Sequence, residues 1–320
     1  MSTLNKVKTI TIICWAISAL ALLGLVAWFL VGGLFHFGFG LDGIGIGTFE
    51  PVETHNVPAD NIDALSIDWT AGRVYVGTHG GNDIQITEFS RRTLRDGEQL
   101  SLSTNDGTLA IYFTENRRFG FNNTPVKQLE VLIPYARSEH FEQFYINTVS
   151  GRVEVSNIQA VDFTVGTTSG RINLRGIVSS ALSASTTSGR IEVSAVQADE
   201  IRLHTVSGRI TATDTQTESL RTNTTSGRHE LSGRFGCVNA RSTSGRLEIT
   251  STIVPDSLTA RTSSGRIEVT IPNEGAIDVQ HSTGSGRFTS EIPVTTHSGT
   301  EAQFDLSTTS GRITIFELRR

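Results

Sequence analysis

The string Ser-Gly-Arg followed by an apolar side chain limits what this chain can fold into more than any other feature. It first stands at Ser150-Gly151-Arg152-Val153. It returns at Ser169, Ser188, Ser207, Ser226, Ser244, Ser264, Ser285 and Ser310, at intervals of 19, 19, 19, 19, 18, 20, 21 and 25 residues. A unit this short cannot bury a core alone, so its copies must stack on one another. Aligned on the glycine, the copies share three apolar columns. One lies six residues before each serine (Phe144, Phe163, Leu182 and on to Val279 and Phe304). The second directly follows each arginine (Val153, Ile172, Ile191, with His229 and Phe288 among them), and the third lies two residues further (Val155, Leu174, Val193, ending in Ser290 and Ile315).

Spacing by two is strand spacing, and Ser, Thr, Gly and β-branched residues dominate with no period of 3.6. The expected fold is therefore all-β: a right-handed parallel β-solenoid with coils of about 19 residues, its hand set by the crossover preference of parallel strands. Rungs rising about 4.8 Å each make the nine copies a rod of roughly 40 Å. The motif reads as a turn. Glycine would supply φ > 0 where the coil bends, and the Ser and Thr hydroxyls would bond neighbouring backbone.

Turn chemistry does not require the arginine. Arg152, Arg171, Arg190, Arg209, Arg228, Arg246, Arg266, Arg287 and Arg312 would lie one above another, placing like charges about 5 Å apart. Glu154, Glu192, Glu230, Glu248 and Glu268, two residues after their arginines, share the outward face and offset part of that repulsion, while Asn173, Thr211, Thr289 and Thr314 stand there in other copies. The expected surface is an arginine ladder beside a sparser glutamate ladder. It reads either as a solvated charge network or as a stripe that grips a linear polyanion through bidentate contacts.

Upstream the chain changes character. Residues 10–35 are apolar and uncharged, preceded by Lys6 and Lys8, and no Lys or Arg follows until Arg73. That length and flank predict one transmembrane helix, with the N-terminus (residues 1–9) inside and the repeats extracytoplasmic. A cleaved signal peptide is the competing reading of this segment. Residues 36–49 are a Gly-rich linker. Residues 50–143 alternate in short strands, with a diverged motif copy at Ala71-Gly72-Arg73-Val74, and are expected to form an irregular N-terminal cap for the regular coils of 144–320.

Much chemistry is left without a basis. The net charge is −5 over the whole chain and more negative still without Lys6 and Lys8, which excludes a general nucleic-acid binder. Two cysteines, Cys14 and Cys237, build no disulfide framework. The eight histidines show no metal-ligand spacing, and His229 and His281, which fall in core columns, are expected to be buried and hydrogen-bonded. No catalytic pair, phosphate-cradling loop, metal site or cofactor motif is present, so no enzyme, metal or cofactor is expected.

The apolar leader, the strand Leu129-Glu-Val-Leu-Ile-Pro134 and the Thr-Thr-Ser-Gly-Arg-Ile copies together resemble the bacterial "putative adhesin" family of membrane-anchored Ser-Gly repeat β-solenoids, over about residues 50–320. The resemblance implies a bacterial envelope protein and brings no catalytic residues with it. The expected function is that of a non-enzymatic, single-pass surface protein of the cell membrane. It would contact an anionic wall polymer or another envelope protein, and its ectodomain would be monomeric. Alternatives are a scaffold that polymerises end to end and, by analogy with β-helical lyases, a polysaccharide-active enzyme. The final strand, Ile313 to Phe316, is expected to be the bare last rung, covered by the excursion Ser290–Gln303.

Overall fold

A computed structural model describes residues 48–113, 125–139, 141–295 and 302–319. The apolar leader and linker up to residue 47 lie outside the described residues. Those described are strands and turns with no α-helix, and no helix among them is long and apolar enough to cross a membrane.

Six long strands, β7 (Phe141–Ser156), β8 (Gln159–Arg175), β9 (Val178–Ser188), β10 (Ile191–Ser207), β11 (Ile210–Ser226) and β12 (His229–Ser244), carry the body of the stack. Each pairs in parallel with its equivalent one coil away: Ser150 lies beside Ser169, Ser169 beside Ser188, Ser188 beside Ser207, and Ser207 beside Ser226. The solenoid expectation holds in this register. The three predicted columns point inward, from Phe144 and Phe163 to Ile267, Val269 and Ile313, nearly all under 3% exposed. Burial of these columns in one continuous core is what makes a short coil stable in the stack.

Chain order and spatial order part at both ends. β13 (Leu247–Ser251), β14 (Ser257–Ser264) and β15 (Ile267–Ile271) continue the stack, followed in sequence by β16 (Ile277–Ser290), β17 (Val294–Thr295) and β18 (Gln303–Glu317). Yet β14 and β15 pair with β18, and β18 pairs on its other side with β16. The C-terminal strand thus fills a slot between earlier coils, and the end coil in space is 277–290. This overturns the expectation of a bare Ile313–Phe316 rung: Ile313 and Ile315 are fully buried.

It also explains two misfits in the columns. His281 and Ser290 fall in slots that are apolar in most other coils, and His281, expected to be buried, is exposed: among the described residues no strand pairs with the outer edge of β16 beyond Asp278. Its ring lies flat on Phe288, with centroids 4.0 Å apart, over the end of the core.

The N-terminal end repeats the interleaving. β1 (Glu50–Pro58), β2 (Ala64–His79), β3 (Asp83–Ser90), β4 (Ser101–Asn105), β5 (Thr108–Tyr112) and β6 (Lys127–Pro134) precede the body. β2 is itself a coil, paired with β7 from Ala64 to Val76, and β5 and β6 stack on its far side. Antiparallel partners then close this edge: β4 on β5, β3 on β6, and β1 on β3. A parallel edge covered in this way offers no free template for stray pairing.

The glycine of the motif has a different cause from the one its turn reading suggests. Gly72, Gly151, Gly170, Gly189, Gly208, Gly227, Gly245, Gly265, Gly311 and Gly286 form one column. A Cβ on any one after Gly72 would lie far inside van der Waals contact with the carbonyl oxygen of the glycine one coil before it. Close approach of backbone to backbone demands glycine along the whole column, and a positive φ adds to the demand only at Gly72 (φ 106), Gly151 (φ 158) and Gly311 (φ 157). The left-handed corner lies elsewhere, seven residues past the motif serine, at Asn157 (φ 59), Gly176 (φ 62), Ala195 (φ 51) and Asp214 (φ 50). Gly208→Ala is therefore expected to cost about 1–3 kcal/mol, because two coils must move apart. Chemical denaturation checks this, and the same change at Gly80, which has open space around it and no positive φ, controls for unfolded-state entropy.

At the foot of that column the rule lapses. Val74 pairs with Leu129, so Lys127 stands one step below Gly72. No parallel coil continues beneath, and the lysine side chain runs into the cap, fully buried. Its Nζ lies 2.7 Å from Glu88 Oε1 and donates to the Glu98 carbonyl oxygen at 2.6 Å. The rings of Phe113 and Trp69 face the ammonium at 3.9 and 5.2 Å.

Candidate functional site: the arginine face

The Ser-Gly-Arg corner stacks its arginines as the spacing predicts. Arg152 pairs in register with Arg171 and Arg287 with Arg312. Between them, backbone bonds of 2.8–2.9 Å to the carbonyls of Arg190, Arg209, Arg228, Arg246 and Arg266 continue the ladder. Arg73 of β2 joins beside Arg152 as a tenth member. The sequence marks Arg73 only by its diverged Ala-Gly-Arg-Val setting. In space the ladder ends Arg266, Arg312, Arg287, since β18 lies inside β16.

Which arginines are neutralised follows from the residue two positions on. Arg152, Arg190, Arg228, Arg246 and Arg266 meet Glu154, Glu192, Glu230, Glu248 and Glu268 at 3.3, 3.0, 3.0, 2.7 and 3.1 Å, and Arg73 reaches Glu154 as well. Arg246 is held above its ordinary pKa by its bond to Glu248, with Glu268 and Glu230 adding to the pull. These pairs are largely exposed and worth about 0–1 kcal/mol each, so they tune charge more than stability. Arg171, Arg209, Arg312 and Arg287, followed by Asn173, Thr211, Thr314 and Thr289, make no ion pair among the described residues. The face therefore mixes neutralised and free guanidinium groups: Arg171 and Arg209 stand singly between paired neighbours, Arg228, Arg246 and Arg266 are paired in succession, and Arg312 and Arg287 end the ladder as two successive free ones.

The hydroxyl residue two before the motif serine, threonine in every copy but the one with Ser242, turns inward at the same corner in all coils except the end one, where Thr283 is half-buried. Thr148 donates to Thr167 at 2.9 Å, and Thr205 and Thr308 reach the carbonyls of Gly189 and Gly265 at 3.4 Å. The corner that presents the arginines is thus fixed by backbone and hydroxyl bonds. Among the described residues no group of three His, Cys, Asp or Glu side chains is placed to hold a metal ion. His229 is fully buried, with Nδ1 2.8 Å from the Thr222 hydroxyl.

A parallel β-solenoid with interleaved ends and an ordered arginine face on one corner defines the class as a β-solenoid repeat protein, each coil of which is stabilised by its neighbours. The family model described as Toastrack DUF4097 matches residues 62–316. The chain belongs to this family, which carries the domain-of-unknown-function designation, and among solved structures its fold keeps company with proteins described as "putative adhesins". A "putative lipid binding protein" from Parabacteroides distasonis ATCC 8503 is 15% identical, with TM-score 0.54 over 85% of this chain and 98% of that one. A "putative adhesin" from the same strain is 12% identical, with TM-score 0.51 over 84% and 98%. At such identities the likeness speaks to the fold alone. No curated protein matches the chain.

Proposed function

We propose that this is a membrane-anchored, extracytoplasmic surface protein that acts by contact: residues 10–35 cross the membrane once, and the solenoid outside grips an anionic, phosphate-bearing envelope polymer along its arginine corner. The apolar, uncharged leader with its two preceding lysines supports the anchor. The observation that carries the polymer reading is the set of free guanidinium groups, Arg171, Arg209, Arg312 and Arg287, on a corner whose other arginines are neutralised. Arginine presents a planar fork suited to phosphate oxygens, and repeated weak contacts along a polymer add through effective concentration.

The test is binding of the full chain to immobilised polyglycerol phosphate as salt is raised. Replacing those four arginines by glutamine should weaken binding at least tenfold, and the affinity of the unaltered chain should fall steeply with salt. Equal binding of the variant, or equal binding to a neutral polymer, overturns the reading.

End-to-end assembly has one observation in its favour. Among the described residues the outer edge of β16 is paired only at Ile277 and Asp278, by β17. A concentration-dependent increase in size would support that second reading, and Phe288→Lys should abolish it.

A further inference from the structure

A second set of arginines lies on the flat face just ahead of the Ser-Gly-Arg corner. Arg202 and Arg221 pair in register on β10 and β11, five residues before their motif serines. Arg241 and Arg261 pair in register on β12 and β14, three residues before theirs. Arg221 aligns with Asn239, so the step from Arg221 to Arg241 is one rung and two residues, about 8 Å. The four guanidinium groups thus descend diagonally across four consecutive coils.

Two hollows follow this diagonal. One of about 470 Å³ contains Arg202, Arg221 and Arg241, and one of about 610 Å³ contains Arg241, Arg261, Ser282 and Ser307. They share Asn223 and Arg241, and so form one trough. Its walls are hydroxyl, amide and guanidinium groups.

The charges here are only partly met within the protein. Glu200 lies 2.5 Å from Arg202 and 3.7 Å from Arg221, and Asp305 pairs with Arg261. Arg241 at the junction bonds only the Asn239 side-chain oxygen, at 3.1 Å through Nε, and has no carboxylate partner among the described residues. The side chains of Arg202, Arg221 and Arg261 are 53%, 62% and 52% exposed, so their forks are open to a ligand.

We propose that this trough binds an anionic polysaccharide, whose carboxylates are taken by Arg241 and its three neighbours and whose ring hydroxyls are taken by the Ser and Asn side chains between them. The distinction from the arginine corner is chemical. The corner offers one column of guanidinium groups, which suits a chain of regularly spaced phosphates. The trough offers guanidinium groups interspersed with neutral donors and acceptors, which suits a polymer carrying both carboxylate and hydroxyl groups. A carboxylate accepts the bidentate arginine fork, and the Ser and Asn side chains between the arginines add hydrogen bonds to ring hydroxyls that charge alone does not provide. The site goes beyond the corner reading and does not depend on it.

The full chain is titrated with polygalacturonate, with uncharged amylose and with inorganic polyphosphate. Arg241→Gln/Arg261→Gln should lower polygalacturonate affinity at least tenfold while leaving polyphosphate binding unchanged. The variant lacking Arg171, Arg209, Arg312 and Arg287 should show the reverse. Both sets point outward, and unchanged thermal midpoints will show that the stack is intact. The trough assignment is overturned if polygalacturonate binds no tighter than amylose, or if its affinity follows the corner variant and not the trough variant. Failure of the unaltered chain to bind polyphosphate would sink the corner reading and leave the trough standing.

Discussion

Lys127→Met and Glu88→Gln, made singly, are each expected to cost about 3–5 kcal/mol, and the double variant to recover most of that loss. Both side chains are fully buried and lie 2.7 Å apart. Removing one leaves the other as an uncompensated charge in the cap. Lys127→Met leaves the Glu88 carboxylate without its cation, with Oε2 still accepting from the Leu100 backbone N–H at 3.1 Å. Glu88→Gln keeps that acceptor but takes the carboxylate charge away from the ammonium, which still donates to the Glu98 carbonyl and faces the Phe113 and Trp69 rings.

In the double variant the amide still accepts from Leu100, and methionine fills the lysine stem's space without a charge. Denaturant midpoints of the four proteins form the cycle. If each single change costs no more than the double, the charges are hydrated and the cap is not held by this pair.

The same corner carries a second acid effect. Glu98 bonds Arg92 at 2.7 and 2.9 Å, and Arg92 foremost holds its carboxyl down to about 2. Its stabilising contribution is fully present above the ordinary carboxylate value of 4.5, falls as pH drops from there, and is gone once pH has fallen through about 2.

His229 should make the protein lose stability as pH falls from 6.5 to about 4, by about 3 kcal/mol in total. Burial pushes its pKa from 6.5 down to about 4. Above 6.5 the ring is neutral in both folded and unfolded chains and contributes no pH dependence. Between 6.5 and 4 the unfolded chain takes up a proton that the folded chain refuses, so unfolding is favoured as pH drops. Below about 4 both forms are protonated and the effect saturates.

His229 sits in a column between Ile210 and Leu247, and Thr222 in one between Leu203 and Ala240. His229→Leu/Thr222→Val therefore fits both columns and avoids leaving the threonine hydroxyl unpartnered. It should flatten the stability curve over this window relative to the unaltered chain. An unchanged slope in the double variant would show that His229 titrates in the fold as it does in water.

Much of this was open to reading from residues alone. A motif recurring near every 19 residues places equivalent side chains on one line, because parallel coils in register repeat the same environment. The inward columns and the arginine ladder follow from that, and the residue two positions after each arginine tells which of them are paired and which are free. The trough arginines were also visible, as positions five and three before successive serines, but their meaning needed the hollow that joins Arg221 to Arg241 across one diagonal step. The buried Lys127 could not be anticipated, since its partners Glu88, on β3, and Glu98, in the β3–β4 connection, lie 39 and 29 residues away with no repeat to align them.

By itself the sequence determined the coil, its core and the face that carries the arginines, since each depends on local periodicity and on contacts one repeat away. Only the tertiary structure decided the order of the coils at the ends and the cause of the glycine. A repeat in register pairs equally well with any equivalent coil, so nothing in the period says that β18 must slip between β15 and β16, or β2 between β5–β6 and β7. That choice is made where the stack must stop: antiparallel strands and a buried ion pair close one end, and His281, Phe288 and Ser290 make the other end coil the one with polar slots. The glycine column is decided the same way, by how closely one backbone lies on the next, a distance that exists only between coils.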